Sequence, residues 1–308
     1  MKDAGTSAVV FIVAVGRWNN ASHHHLTYCI LCKCDCNVTK TLTKPYAKTY
    51  VGVGGWTYEP WRGVFYPRGL PHSRELTYAA EHLTSIEVNG TFYSTQSPKT
   101  FRKWASEVPD DFVFALKGPR YAVNRRVLAE AGDSIKRFLE SGITELGAKL
   151  GPLLWQFAPH KKFDANDFAA FLELLPKTFD GHALRHVVEV RNDTFKTAAF
   201  IALARKHNVA ICYAEHNTYA EIADVTADFV YARLQKGEEK LKAGYPPRAL
   251  DAWAKRAQIW IKGGAPADLP RVDRKAAPKT PRDVFIYFIH EAKLRAPAAA
   301  MALIERLT

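Results

Sequence analysis

Eight short apolar runs, rich in β-branched residues, recur between residues 50 and 290, and most of them end in a polar or charged residue. Several of the segments between them carry apolar residues at positions i, i+3, i+4 and i+7, the spacing of an amphipathic helix. Repeated strand–helix alternation is typical of parallel βα units. Eight units predict a single (β/α)8 barrel of the TIM type, with its sites at the C-terminal strand ends. The runs are YVGVGGW (50–56), TSIEVN (84–89), FVFALK (112–117), PLLWQF (152–157), HVVEVR (186–191), VAICYAEH (209–216), DFVYARL (228–234) and DVFIYFIH (283–290).

Capping residues predict several helix boundaries. Ser97 followed by Pro98 is typical of an N-cap and first helical turn, and Ser73 is predicted to cap a helix that continues to about His82. A last helix is predicted over residues 296–307. The connection after the sixth run, NTYAEIADVTA, is too short and irregular to predict a helix.

The chain length favours one main domain. A barrel of about 250 residues fits within the 308 residues of the chain, 47% of which are apolar. An open doubly wound sheet is the alternative fold, but it usually has a glycine-rich phosphate turn after its first strand, and GVGGW lacks the G-x-G-x-x-G spacing. No apolar run approaches the roughly 18 residues of a membrane span, so we predict a soluble barrel with no membrane partner.

Residues 1–48 do not follow the barrel pattern. They contain an apolar stretch, AVVFIVAV (8–15), three consecutive histidines, and four of the five cysteines in CILCKCDC (29–36). The stretch has the composition of a signal-peptide core but lacks a nearby cleavage site. The C-x2-C-x-C-x-C spacing differs from the two separated ligand pairs of a structural zinc site. We therefore predict a disordered or loosely attached extension over residues 1–48 and a barrel domain over residues 49–308.

Polar side chains at the strand ends are predicted to share the inward face of the barrel. Because side chains alternate along a strand, Glu87 lies on the same face as Asn89, and Glu189 on the same face as Arg191. The same rule pairs Tyr231 with Arg233. Lys117 and Gln156, at or near the ends of their own strands, join this group. An unpaired buried charge costs several kcal/mol, so the charged residues need one another or a ligand.

Two interpretations of this cluster remain open. In the first, Glu87 and Glu189 neutralise Lys117, Arg191 and Arg233 in a buried ionic network. In the second, the excess of three cations over two carboxylates binds phosphate or carboxylate, and one glutamate serves as general acid or base. Two carboxylates on separate strands are also found in glycosidases, whose mechanism depends on a separation that sequence does not give.

The segment KGPRYAVNRR (117–126) places four cations, including Arg120, and one tyrosine at the predicted site end of the barrel. This composition suits a nucleic-acid backbone or a phosphosugar with a stacked base, although solvated loop charge is the plainer interpretation. The net charge of +12 is consistent with anionic partners.

The sequence gives little support for a metal site or for a cysteine nucleophile. His216 and His290 end strands, but no H-E-x-x-H or other His/Asp ligand set accompanies them. Cys212 lies among apolar neighbours, where a free cysteine packs as a small hydrophobic residue. We predict neither a metal nor a cofactor.

Several motifs together resemble one family. GVGGWTYEPWRGVFYP, SIEVNGTFYS, FVFALKGPR, LGPLLWQF, VVEVRNDTF, DFVYARLQ and the closing DVFIYFIHEAKLRAPAAAMALIERL resemble, in this order, the domain of unknown function 72 family, also called YecE-like. The resemblance covers about residues 50–308 and implies a TIM-type barrel in a cytoplasmic protein. One departure is RNDTF (191–195), where the family commonly has R-x-x-S-W. The family motifs fall here on Trp56, Glu87, Asn89, Phe92, Tyr93, Lys117, Gln156, Glu189 and Arg191.

The resemblance carries no established activity. Its barrel is similar in outline to metal-dependent endonuclease and sugar-isomerase barrels, but this chain lacks their ligand set. We therefore predict a metal-independent hydrolase or lyase for a phosphate-bearing or nucleic-acid-derived substrate. The alternative is a non-catalytic protein that binds nucleic acid or another anionic ligand.

Roles within this hypothesis follow from side-chain chemistry. Glu87 or Glu189 is the predicted acid or base, and Lys117 is a third catalytic candidate. Lys117, Arg191 and Arg233 are predicted to hold the anion. The remaining binding candidates are Asn89 and Gln156 for orientation, Trp56 and Tyr93 for stacking, and Arg120 from the basic loop.

Overall fold

Each of the eight apolar runs forms a strand. The structure, a computed structural model, describes residues 47–308 except residues 274, 290 and 291, so the predicted extension and its cysteine cluster lie outside the described residues, apart from residues 47 and 48. The barrel strands are β1 (Thr49–Gly54), β2 (Ser85–Val88), β3 (Val113–Lys117), β4 (Leu150–Gln156), β5 (His186–Glu189), β6 (Ala210–Ile211 and Tyr213–Glu215), β7 (Phe229–Leu234) and β8 (Asp283–Phe288). Outside the barrel, Thr178–Phe179 and His182–Ala183 form a short antiparallel hairpin.

The eight barrel strands pair in parallel and close into a barrel. Pairing follows chain order from β1 to β6, and β8 joins β1 to β7. The two parts of β6 complete the circle: Ala210 is in register with Val187 of β5, whereas Tyr213 is in register with Ala232 of β7. Between them, the Cys212 amide donates to Val188 O at 2.9 Å. This closure confirms the (β/α)8 prediction and excludes the open sheet.

Helices follow seven of the eight strands. They are α1 (Glu75–His82), α2 (Gly90–Tyr93), α3 (Pro98–Ser106), α4 (Arg120–Val123), α5 (Gly132–Leu139), α6 (Ala165–Glu173), α7 (Ala198–Lys206), α8 (Pro247–Ile261) and α9 (Ala296–Leu307). Residues 216–228, which are all described, form no helix, as predicted for the connection after β6. No helix of the described chain is long and apolar enough to cross a membrane.

One predicted cap is confirmed and one is wrong. The Ser97 side chain accepts a hydrogen bond from Thr100 N at 3.2 Å and begins α3. Ser73 instead lies inside the 3-10 turn His72–Arg74, and α1 begins at Glu75 without a side-chain cap. The 3-10 turn leads directly into α1, so the serine lies inside the first turn rather than before it.

The barrel interior is filled with side chains. A buried cluster separate from the strand–helix core lines it, and includes Ala115, Leu154, Val187, Phe229 and Phe285. Position 52 of β1 requires glycine because β1 and β2 lie close together there. A Cβ on Gly52 would lie 1.8 Å from Ser85 O on β2. Higher in the barrel, the rings of Tyr231 and Tyr287 pack with their centroids 5.0 Å apart. Polar residues nearer the C-terminal strand ends therefore lie on a packed layer of side chains that includes Tyr231 and Tyr287.

Candidate functional site

The C-terminal ends of β2, β3, β5 and β7 bring four charged side chains together. Glu87 and Glu189 are fully buried, Arg233 is 3% exposed and Lys117 is 7% exposed. Arg233 follows Tyr231 by two residues on the same face of β7, so the charged group lies immediately above the tyrosine layer. The predicted convergence of these residues is therefore present in the fold.

Arg233 links the two glutamates. Its Nε donates to Glu87 Oε2 at 3.1 Å and its Nη2 donates to Glu87 Oε1 at 3.2 Å. Its Nη1 donates to Glu189 Oε2. Tyr231 adds a hydrogen bond from its hydroxyl to Glu87 Oε2 at 2.7 Å. One guanidinium thus compensates two buried carboxylates that come from the non-adjacent strands β2 and β5, in a geometry that suits its fork of donors.

Glu189 receives further donors. Arg191 Nε donates to its Oε1 at 2.7 Å, and Gln156 Nε2 lies 3.0 Å from both of its oxygens. Burial would raise the pKa of Glu189, but the charges of Arg233 and Arg191 and the hydrogen bond of Gln156 outweigh burial and lower the pKa to about 2. A carboxylate with this pKa remains ionised near neutral pH. The geometry therefore gives Glu189 a charge-holding role and does not favour the predicted acid–base role.

Lys117 stands apart from this network. Within the part of the chain that the structure describes, no carboxylate lies at ion-pair distance from its Nζ, and no acceptor lies at hydrogen-bond distance. The ammonium lies 4.2 Å from the ring centroid of Phe92. Burial lowers the pKa of Lys117 to about 8, helped by the charge of Arg233 and opposed in part by Glu87 and Glu189. Lys117 is the cation in excess of the two glutamate–arginine pairs.

Arg191 is the cation of the network that reaches solvent. Its side chain is 18% exposed, and its guanidinium lies over the Tyr219 ring at 4.7 Å. Its hydrogen bond to Glu189 uses Nε, and its two terminal nitrogens bond to no acceptor among the described residues. These nitrogens are available to an oxyanion.

The other predicted binding residues lie in different surroundings. Asn89 follows β2, is half-buried, and its Nδ2 lies 3.4 Å from Glu87 O. Arg120 is exposed, lies over the Tyr121 ring, and donates to the Tyr121 hydroxyl at 3.1 Å. Arg120 therefore belongs to the exposed surface of α4 and not to the buried network.

Trp56 and Tyr93, the two rings predicted to stack against a ligand, lie in different surroundings. Trp56 packs edge-on against Trp104, with centroids 5.1 Å apart, and also against Phe114. Tyr93 contacts Phe92 at 5.1 Å and is 64% exposed. Trp56 is thus committed to the core outside the barrel, whereas Tyr93 presents a ring to solvent.

Sequence reasoning missed one polar residue of the mouth and one contact of another. The alternation places Tyr231 on the correct face but does not predict its hydrogen bond to Glu87. Gln235 is buried two residues beyond Arg233, and its Nε2 has no hydrogen-bond partner among the described residues. Continuing the alternation of β7 by one more step would have found it.

The described residues offer neither a metal-ligand group nor an accessible thiol. No group of three or more His, Cys, Asp or Glu residues within the described ranges is arranged to hold a metal ion. Cys212 is buried, and burial, together with the charge of Glu189, raises its thiol pKa. A protonated, enclosed thiol is a poor nucleophile, in agreement with the interpretation of Cys212 as a packing residue.

Together these features define a (β/α)8-barrel protein with a buried ionic network at the C-terminal ends of its strands. The model of the family described as protein of unknown function DUF72 matches residues 50–308, and the chain belongs to this family. The resemblance found in the sequence motifs is confirmed.

Solved structures agree with the fold. A DUF72 family protein from Thermotoga maritima MSB8 is 20% identical with a TM-score of 0.64, over 84% of this chain and 99% of that one. A DUF72 family protein from Enterococcus faecalis V583 is 16% identical with a TM-score of 0.61, over 84% and 95% of the two chains. The protein SacUVDE is 9% identical with a TM-score of 0.50, over 84% and 98%. At these identities the likeness concerns the fold alone. No curated protein matches the chain.

Proposed function

We propose that this DUF72-family protein is a hydrolase or lyase that uses its own side chains to act on a phosphate-bearing or nucleic-acid-derived substrate at the C-terminal face of the barrel. The observation that carries the proposal is the environment of Lys117. Its buried ammonium has no anionic partner among the described residues, beside two glutamates already paired with arginines. A buried cation of this kind is stabilised by an anionic ligand.

We assign separate roles to the side chains of the site. Arg191, through its terminal nitrogens, binds the phosphate of the substrate, because a guanidinium matches tetrahedral oxyanions. Lys117, whose pKa is about 8, exchanges a proton near neutral pH and is the catalytic group. Arg233, Glu87, Glu189 and Gln156 hold these two cations in place. We also propose a cytoplasmic location, which the family resemblance implies and which cell fractionation with a tagged protein tests.

The test is a turnover screen with phosphorylated sugars, nucleotides and short oligonucleotides. Compounds are first selected by their effect on the melting temperature and are then followed for conversion. We expect at least one phosphorylated compound to be consumed by the parent and not by Lys117→Met. Arg306→Met, which removes a cation on the outer helix α9, should leave turnover unchanged. If stabilising compounds are bound but none is converted, the enzyme proposal is wrong.

A second candidate function, nucleic-acid binding without catalysis, is favoured by the exposed side chains of the short helices α2 and α4. Tyr93 and Tyr121 are 64% and 62% exposed, and Arg120 lies against the Tyr121 ring. Exposed rings beside arginines suit single-stranded nucleic acid, whose bases stack and whose phosphates pair with cations. Binding that weakens steeply with salt, without turnover, would favour this candidate.

A further inference from the structure

The lysines that are largely buried in this protein differ in their hydrogen bonding. Lys149, with a 13% exposed side chain, donates to Ala105 O and Val108 O at 2.7 and 2.8 Å. Lys161, 15% exposed, donates to Arg126 O at 2.8 Å and pairs with Asp167. Lys117 is more buried than either, yet within the described residues its Nζ meets the face of Phe92 and no acceptor. Its environment therefore lacks what normally keeps a buried lysine protonated.

The surrounding charges add to this effect. Arg233 and Arg191 both act on Lys117 as like charges, and each of them is held in place by a glutamate. A lysine that is desolvated and lies near other cations has a larger fraction of free amine, which is the nucleophilic form. The mouth of the barrel also carries Gln235, a second buried donor without an acceptor in the part of the chain that the structure describes. An oxygen-rich ligand would satisfy both groups.

We infer that Lys117 is a nucleophile that forms an imine with the carbonyl carbon of a phosphorylated aldehyde or ketone. This inference rests on the proposed function and names its substrate class. The amine nitrogen forms a bond to the carbonyl carbon, and the carbonyl oxygen takes up a proton to give a carbinolamine. The C–O bond then breaks, and the oxygen leaves as water with a second proton. Ammonium plus carbonyl thus gives protonated imine plus water, with charge and atoms balanced and no oxidant or reductant required.

The site suits the product of this step. The protonated imine carries the same positive charge as the original ammonium, so it retains the contact with Phe92 and the nearby carboxylates. Arg191, the solvent-reaching cation, is placed to hold the phosphate of the same molecule. An imine withdraws electrons from the adjacent carbon, which promotes the bond cleavage that a lyase performs.

Reductive trapping tests the inference on the full chain. Two probes carry the required chemistry: glyceraldehyde 3-phosphate, and an oligonucleotide with one abasic site, whose opened sugar is an aldehyde. Each is incubated with protein and cyanoborohydride at pH 7, and peptide mapping by mass spectrometry locates the adduct. The adduct mass is that of the probe less one oxygen atom. The reactive probe then identifies the source of the carbonyl, free sugar phosphate or nucleic acid.

We expect trapping at Lys117 to be at least about tenfold faster than at Lys236, an exposed lysine just beyond β7 whose Nζ donates to Glu221 Oε1 at 2.7 Å. Lowering the pKa of Lys117 from 10.5 to about 8 raises its own free-amine fraction at pH 7 by roughly 300-fold. Lys117→Arg keeps the charge but cannot form an imine, and should lose the adduct and the turnover. Lys236→Arg should retain both. Since the map of the parent already locates the adduct, the test does not depend on the folding of a variant.

Two results would overturn the inference, and they differ in their meaning for the proposed function. If neither probe is trapped at Lys117 faster than at Lys236, while phosphate still protects the protein through Arg191, imine formation is wrong and the anion site stands. If neither trapping nor protection by phosphate is observed, both proposals are wrong.

Discussion

Arg233 holds Glu87 by two parallel hydrogen bonds across the barrel mouth, from Nε to Oε2 at 3.1 Å and from Nη2 to Oε1 at 3.2 Å. The two residues come from β7 and β2, which are separated in the sheet by β8 and β1, so this pair connects parts of the barrel wall that do not pair directly. Both side chains are buried. If one of the two charges lost its partner, water could not reach the remaining charge to solvate it.

The first prediction concerns this network. Glu87→Gln and Glu189→Gln preserve side-chain shape but leave Arg233 with one carboxylate instead of two, so each should lower the free energy of unfolding by roughly 3 kcal/mol. Urea unfolding at pH 7 measures the change. Asp251→Asn is the control, since Asp251 pairs with Arg306 at the surface with a 63% exposed side chain. Its loss should be within about 1 kcal/mol. Equal losses in all three variants would contradict a buried network.

The fold was predictable from the sequence because its signal is periodic. Eight β-branched runs with helical spacing between them specify eight βα units, and all eight strands fall within two residues of their predicted starts. The break in β6 was not predictable, since its two parts differ in hydrogen-bond partners and not in composition. Ser73 shows the same limit, because the 3-10 turn His72–Arg74 that contains it gives no pattern of its own.

The sequence predicts which residues belong to the site better than it predicts how they pair with one another. Alternation along β2, β5 and β7 correctly places Glu87, Glu189 and Arg233 on one face. Sequence treats Lys117 and Arg233 as equivalent cations, but the fork of Arg233 reaches both glutamates, whereas the Lys117 amine meets Phe92. Which cation is paired depends on side-chain reach across the barrel, and a single sequence does not encode that distance.

The second prediction follows from the lowered pKa of Glu189. A folded-state pKa of about 2, against 4.5 for the free group, means that this carboxylate stabilises the fold above pH 4.5 and that the stabilisation is lost as the pH falls toward 2. The free energy of unfolding of the parent should therefore fall more steeply between pH 4.5 and 2 than that of Glu189→Gln. Unfolding in urea at several pH values measures both slopes, and the difference isolates Glu189 from other acids. Identical slopes would show that its pKa is not lowered.

The third prediction has the opposite sign in pH. Lys117 has a folded-state pKa of about 8 against 10.5 for the free group, so between these values the unfolded state binds more protons and stability rises with pH. Below pH 8 the full penalty of the buried charge is present. Lys117→Met should then be more stable than the parent at pH 7, by about 1–3 kcal/mol. The gain should shrink from pH 8 upward. A variant less stable than the parent at pH 7 would mean that the ammonium is stabilised in the fold.

The fourth prediction concerns anion binding by Arg191. Its terminal nitrogens are free of described acceptors, so millimolar phosphate should raise the melting temperature of the parent more than chloride at equal ionic strength. Arg191→Met should remove that difference. Arg306→Met, which alters a cation of α9, should preserve it. Phosphate protection that persists in Arg191→Met would place the anion elsewhere.

The last prediction separates the basic loop, here residues 118–126 including the short helix α4, from the barrel mouth. Arg120 and Arg126 are exposed, and neither forms an ion pair with a described carboxylate, so both are available to a nucleic-acid backbone. In a double variant with both changed to Ala, affinity for a single-stranded oligonucleotide should fall, and the slope of log affinity against log salt should lose about 0.7 for each phosphate contact removed. The paired change Lys255→Ala and Arg306→Ala removes the same net charge from the outer helices α8 and α9, and should leave the slope unchanged. Phosphate protection should be intact in both double variants, because Arg191 does not belong to the loop. Equal slopes in both variants would mean that net charge, and not the loop, attracts the oligonucleotide.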